Sequence, residues 1–201
     1  IDRLAIELMK EYKKEKVIVY NTYQLYRNDR YHFLQLSHRL AKEGGFLLGA
    51  KLVRGAYMEK ERARALQMGY PSPIHINKEA TDADFDAAAK YCIDNLGTIS
   101  LLLASHNEAS NIAIANEMEK LGLAKNDGHV HFSQLYGMGD HITFNMAVQG
   151  LNVSKYLPFG PINEVIPYLM RRAEENTSVN GQTNKELVLL KKELARRKSK
   201  K

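Results

Sequence analysis

Short apolar runs alternate with longer amphipathic stretches along most of the chain. No other feature restricts the fold as much. The runs are VIVYNTY (17–23), FLLGAKLV (46–53), ISLLLASH (99–106), VHFSQLYG (130–137) and SKYLPFG (154–160). Each is too short for a core helix and reads as a buried parallel strand. Helical spacing fills the gaps in DRYHFLQLSHRLAKEGG (29–45), ATDADFDAAAKYCIDNLG (80–97) and NEASNIAIANEMEKLGLAK (107–125). The Gly pair after 43 and Gly97 are C-terminal stops, and Thr81 or Asp82 is the cap candidate of the second helix. GPINEVIPYLMRRAEEN (160–176) begins after Gly-Pro, and Pro167 inside it predicts a kink or a delayed start. NKELVLLKKELARR (184–197) closes the chain, and the first residues read as a helix leading into a strand.

Strand–helix order without hairpin turn signals means βα units and a parallel sheet. Segment 57–79 is a longer excursion with its own charged helix, MEKERARALQMG. Polar residues gather where the strands are expected to end: Asn21, Gln24, Lys51, Arg54, Ser105, His106, Gln134 and Tyr156. Parallel sheets and barrels build their sites at that edge. An eight-stranded barrel takes about 250 residues. The 201 residues here are therefore read as the C-terminal portion of an α/β fold of the (βα)8 TIM-barrel type. The expected organisation is one partial barrel domain, 1–190, and a basic tail, 191–201.

Composition narrows the function classes. With 44% apolar and 26% charged residues, the chain is outside the disordered and low-complexity classes. No stretch approaches the roughly 20 apolar residues of a membrane span. Cys92 is the one cysteine, which excludes an internal disulfide and a multi-cysteine metal site. Of 29 basic and 23 acidic residues, seven basic and one acidic fall in 191–201, which leaves 22 of each elsewhere. The charge thus belongs to a tail and not to a basic face, which argues against nucleic acid as partner. Such a tail suits an anionic lipid surface or a solvated helix end.

Four strings carry candidate chemistry. KLVRGAY (51–57) sets two cations beside a Gly-Ala pair, suited to a phosphate or an isoalloxazine ring; a solvated Arg and a turn Gly account for it equally. ASHNE (104–108) ends a strand with His106 and opens a helix with Asn107, as a ligand donor or as a simple cap. In YLMRRAEEN (168–176), Tyr168, Arg171, Arg172 and Glu175 share one helix face. Glu175 can hold one guanidinium and leave the other for a substrate carboxylate, or the face is simply solvated. QLYGMGD (134–140) contains a GxG, which alone is weak support for a phosphate loop, and the full dinucleotide fingerprint is absent. The histidines form no metal-binding pattern.

Taken together, YNTYQLY, AKLVRGAYMEKERARA, ASHNE, QLYGMGD and KYLPFGPINEVIPYLMRRAEENTS closely resemble the C-terminal portion of proline dehydrogenase, nearest to its monofunctional mitochondrial and bacterial form. The resemblance runs from about residue 17 to residue 178. It implies a distorted (βα)8 barrel with non-covalent FAD, in which these five strands are strands four to eight. Strands one to three, with a lysine and an aspartate of the family's site, would lie upstream. Carried over by position, Lys51 lies near flavin N5, and Asn21, Val53, Arg54, Gly55, Ala56, Ser105 and His106 contact the cofactor. Leu135, Tyr57, Tyr156 and Tyr168 wall the proline pocket. Arg171 and Arg172 grip the proline carboxylate, and Glu175 orients an arginine on the cofactor side. The implied reaction oxidises L-proline to Δ1-pyrroline-5-carboxylate by hydride transfer to FAD, with a quinone as acceptor. The implied location is the cytoplasmic face of a bacterial inner membrane or the mitochondrial matrix and inner membrane. The alternative is a non-catalytic partial barrel, a binding or assembly module lacking the N-terminal half of the site; an oligomer or the missing barrel half would be the chain's partner.

Overall fold

A computed structural model describes residues 1–13, 16–178 and 182–199, with the backbone alone for 173–178 and 182–186. The chain divides into two compact units, Ile1–Tyr156 and Leu157–Lys201. In the first unit the order is α1 (Asp2–Glu11), β1 (Asn21–Gln24), α2 (Arg30–Gly44), β2 (Leu48–Val53), α3 (Met58–Met68), α4 (Lys78–Asp94), β3 (Ile99–Ala104), α5 (Glu108–Lys120), β4 (Val130–Leu135), α6 (Asp140–Val148) and β5 (Val153–Tyr156). The second unit holds α7 (Ile162–Ser178) and α8 (Gln182–Lys198). The expected boundary at 190 falls inside α8.

All five strands are parallel and lie in sequence order, β1-β2-β3-β4-β5. Every crossover therefore steps the same way. Since such crossovers are right-handed, the helices all fall on one face of the sheet. The core confirms it. Tyr23, Leu48, Ala50, Leu52, Leu101, Leu103 and Phe132 point to the same side, against Leu34 of α2, Phe85 and Cys92 of α4, Met118 of α5 and Ile142 of α6. A singly wound sheet of this kind is the wall of a barrel, and its helix-free face is the inner one.

The elements differ from expectation at identifiable places. The first strand begins at Asn21 and not at Val17, because residues 17–20 cross over Gly49. A Cβ on Gly49 would stand 2.0 Å from the Val19 carbonyl oxygen. The second long helix starts at Lys78, capped by Asn77 accepting from the Ala80 amide, and neither Thr81 nor Asp82 is the cap. Helix α6 was not foreseen; Gly139 opens it in the left-handed conformation at φ 62°. Pro167 lies inside α7, so the helix starts before it without delay.

Candidate functional site

The inner face is where the chemistry-bearing strand residues collect. Alternation along β2 sends Ala50 and Leu52 to the core and Lys51 and Val53 to the opposite side. Register places Lys51 beside Leu102 of β3, and Leu135 of β4 beside Tyr156 of β5. Lys51 is half-buried, and its ammonium stands 5.2 Å from the centre of the Tyr156 ring. Three strand spacings separate β2 from β5, about 14 Å in a flat sheet. Side chains that meet across that span stand on a concave surface. Burial pushes the Lys51 amine below its ordinary value. Among the described residues no carboxylate pairs with it. A half-buried cation on an apolar wall of Val53, Leu102 and Leu135 suits an electron-rich planar ring, so the donor set fits a flavin.

Asn21 is not part of this face. It starts β1 on the helix side, 4% exposed, where its amide donates to Asp2 of α1 and its oxygen accepts from the Thr22 amide. The apolar run from Val17 predicts a strand that is ending at Asn21, whereas β1 begins there.

At the C-terminal rim, Arg54 and Ser105 belong to a polar belt. The Arg54 guanidinium donates to Asp82 at 2.6 Å, Ser105 at 2.9 Å and Ser110 at 3.0 Å, and lies 4.1 Å over the Phe85 ring. Burial would raise the Asp82 carboxyl, but Lys78 and Arg54 together hold it below its usual range. Ser110 in turn donates to Asp86, and the Ser105 carbonyl accepts from Asn111 and Gln134. Gln134 accepts from Thr143 of α6. The belt therefore ties α4, α5 and α6 to the ends of β2, β3 and β4. His106 Nε2 accepts the Leu135 amide at 2.9 Å, which puts the ring proton on Nδ1. Asn107 caps α5 by accepting from the Ser110 amide.

Gly55 has φ 120°, and a Cβ there would sit 1.9 Å from the Tyr26 ring. The glycine is explained by that contact. Ala56 is half-buried, and Tyr57 is more exposed and opens α3 at its N-cap. Sequence reasoning passed over Tyr26, which is 1% exposed and donates its hydroxyl to Glu61. Arg27 donates to the other Glu61 oxygen at 2.6 Å and to both Asp29 oxygens. Burial and the neighbouring Glu61 carboxylate push the Tyr26 phenol above its ordinary value. Tyr26 closes the string YNTYQLY and Glu61 lies within AKLVRGAYMEKERARA, but nothing in either string marks the two as partners, and their hydrogen bond is seen only in the structure.

In the second unit, α7 carries Tyr168, Arg171 and Arg172, all half-buried. The Arg172 guanidinium lies 5.2 Å over the Tyr168 ring, which confirms the shared face of positions four apart. The Glu175 side chain lies outside the described residues. Among the described residues no group of three His, Cys, Asp or Glu could hold a metal ion.

A family model described as proline dehydrogenase matches residues 1–185. Human mitochondrial proline dehydrogenase 1 is 44% identical over 200 residues, which cover 98% of this chain and 33% of that protein. A hydroxyproline dehydrogenase of Xenopus laevis is 39% identical over 198 residues, 96% of this chain and 42% of that one. Among solved structures, proline utilization A from Bdellovibrio bacteriovorus, inactivated by N-propargylglycine, superposes with a TM-score of 0.81 at 31% identity. That match covers 90% of this chain and 19% of the other. The chain thus spans about a third of the human relative it matches.

Proposed function

The chain belongs to the proline dehydrogenase family, a family of oxidoreductases, and from that premise we propose that it forms the C-terminal wall of a flavin site that oxidises L-proline to Δ1-pyrroline-5-carboxylate. FAD, when bound, would supply the acceptor for the hydride of proline C5, with the ring-nitrogen proton released to solvent, and a quinone would take up the two electrons. The observation that carries the proposal is Lys51: a half-buried ammonium on the inner face of a barrel wall, with no carboxylate partner among the described residues. A cation so placed favours added electron density on a ring lying against it. Val53, Ala56 and Leu135 would exclude water around that ring. Arg54, Ser105 and His106, engaged as they are with protein groups, would fix the rim from behind.

Arg171 and Arg172 would take the proline carboxylate, one guanidinium in bidentate geometry. By the family's pattern alone, Tyr168, Tyr156 and Tyr57 would wall the proline pocket and Glu175 would orient an arginine. Among the described residues no helix is long and apolar enough to cross a membrane, and the basic tail would bring the protein to a quinone-bearing lipid surface.

The test is kinetic. In the holoprotein, Arg171→Met and Arg172→Met raise the proline KM at least tenfold and leave the flavin bound, since a hydrogen bond to a charged group is worth about 1.5–3 kcal/mol. Wild-type kinetics in both variants would contradict the assignment. The same assay with 4-hydroxyproline separates the two substrates named for the relatives.

A further inference from the structure

Segment 54–57 leaves β2 and turns at Gly55 into α3. Arg54 anchors its start through Asp82, Ser105 and Ser110, Gly55 follows at φ 120°, and α3 opens at Tyr57 without a side-chain cap hydrogen bond. A second restraint comes from elsewhere in the chain. The Tyr26 amide donates to the Arg54 carbonyl at 2.7 Å, and the Tyr26 ring fills the space a Gly55 side chain would take. The Tyr26 hydroxyl then donates to Glu61 of α3. The backbone amide of that same Glu61 closes the first turn of α3 on the Tyr57 carbonyl at 2.9 Å. One residue thus holds Tyr57 through its amide and Tyr26 through its carboxylate. Arg27 occupies the second carboxylate oxygen, and each of those two side chains is 25% exposed.

We propose that Glu61, acting with Tyr26, is a positioning residue that sets where Ala56 and Tyr57 stand at the mouth of the site. This rests on the reading of 54–57 as a wall of the flavin and proline site. The arrangement has a mechanical consequence. A Gln at 61 keeps an oxygen that can accept from Tyr26, while a Phe at 26 keeps the ring against Gly55 but loses the donor. Removing either end frees the turn to rotate about Gly55, the residue with the widest conformational freedom. A displacement of about 1 Å of a pocket wall is enough to cost much of a substrate's orientation.

The test uses the holoprotein with Glu61→Ala, Glu61→Gln and Tyr26→Phe, with Lys51→Met as a check on the site itself. Four quantities are read: amide hydrogen exchange at 54–60, proline KM, kcat, and the visible flavin absorbance. Glu61→Ala and Tyr26→Phe are expected to raise exchange at 54–60, to raise KM about tenfold with kcat within about twofold, and to shift the flavin bands. Glu61→Gln, whose amide oxygen still accepts from Tyr26, restores KM and spectrum to near wild type. Unchanged exchange in Tyr26→Phe overturns the restraint itself. Raised exchange with unchanged KM and spectrum overturns its link to the site, and so does a failure of Glu61→Gln to rescue. If Lys51→Met also leaves KM and flavin spectrum untouched, the reading of the inner face has failed, and the positioning role fails with it. Should Glu61→Ala not fold, Tyr26→Phe and Glu61→Gln decide the same points.

Discussion

At Gly55 the sequence offers a motif glycine and the structure supplies its reason. The space for a side chain is occupied by the Tyr26 ring, at 1.9 Å from an ideal Cβ, and φ is 120°. Gly137 also has positive φ, 78°, but meets nothing within 4 Å. The two therefore separate packing from backbone strain. Gly137→Ala is expected to cost only the left-handed penalty of about 1–2 kcal/mol. Gly55→Ala adds an overpacked aromatic, and about 2–5 kcal/mol in all is expected from strain plus overpacking. Urea unfolding of the two variants measures the difference; equal losses would show that the Tyr26 ring moves aside without cost. The same contrast marks what was legible in residues. Lys51 and Tyr156 could be placed at strand ends from the strand–helix pattern, and Leu135 only through the family's motif; the register then sets the face each one takes. Asn21 could not, since its side depended on where residues 17–20 leave the sheet, and a run of Val and Ile carries no sign of that.

Elements were legible where apolar periodicity and a breaker coincide, and less so where tertiary contact decides. The helix ending at Gly45 and the cap at Asn107 follow from local sequence. Helix α6 carries apolar residues on both faces: Ile142 and Met146, four apart, are buried while Phe144 and Val148 are exposed. Its sequence therefore gave no helical signal. The joint between α2 and α4 shows the same limit. His38 of α2 is 1% exposed, with Nδ1 2.7 Å from the Tyr91 hydroxyl of α4 and Nε2 2.7 Å from the Thr98 hydroxyl that precedes β3. Burial, and then the charge of Lys42, lowers its affinity for a proton below the ordinary value of 6.5. The unfolded chain binds that proton more readily, so stability from this joint is present above about pH 6.5 and is lost as pH falls through the lower folded value. The expected outcome is a urea midpoint that drops between pH 7.5 and pH 5.5. The drop should shrink in His38→Gln, which keeps polar atoms on the ring's two sides but does not titrate. An identical drop in the variant would assign the pH dependence to other groups.

On the scale of the molecule, one rule of topology did most of the work: parallel strands in sequence order force the helices to one face, and the uncovered face must be the inner wall of a barrel. Strand–helix alternation gives the parallel sheet, but an open sheet shares that pattern, and it is the strand order that decides for the barrel wall. What the order of elements could not give is the curvature that brings Lys51 to Tyr156, which belongs to side chains three strands apart. Charge is the other whole-chain property, and here the sequence is explicit. The entire excess of +6 lies in 191–201, which overlaps the end of α8, and Leu187, Leu190 and Leu194 of that helix are exposed by 49%, 62% and 58%. Cations close to an anionic lipid surface gain about 1 kcal/mol each, so several acting together suffice for peripheral attachment. Glu193 is held by Arg196 and Arg197, well below its usual range, at about 2, so it remains negative at any pH where lipid headgroups are charged and offsets one cation. Co-sedimentation with vesicles containing phosphatidylserine should therefore fall sharply on deletion of 191–201. It should weaken in 0.5 M salt, where the screening length shrinks to a few ångströms, and be absent with neutral phosphatidylcholine. Binding that survives both the deletion and the salt would come from apolar contact and not from the tail, and would move the membrane surface of the protein to another face.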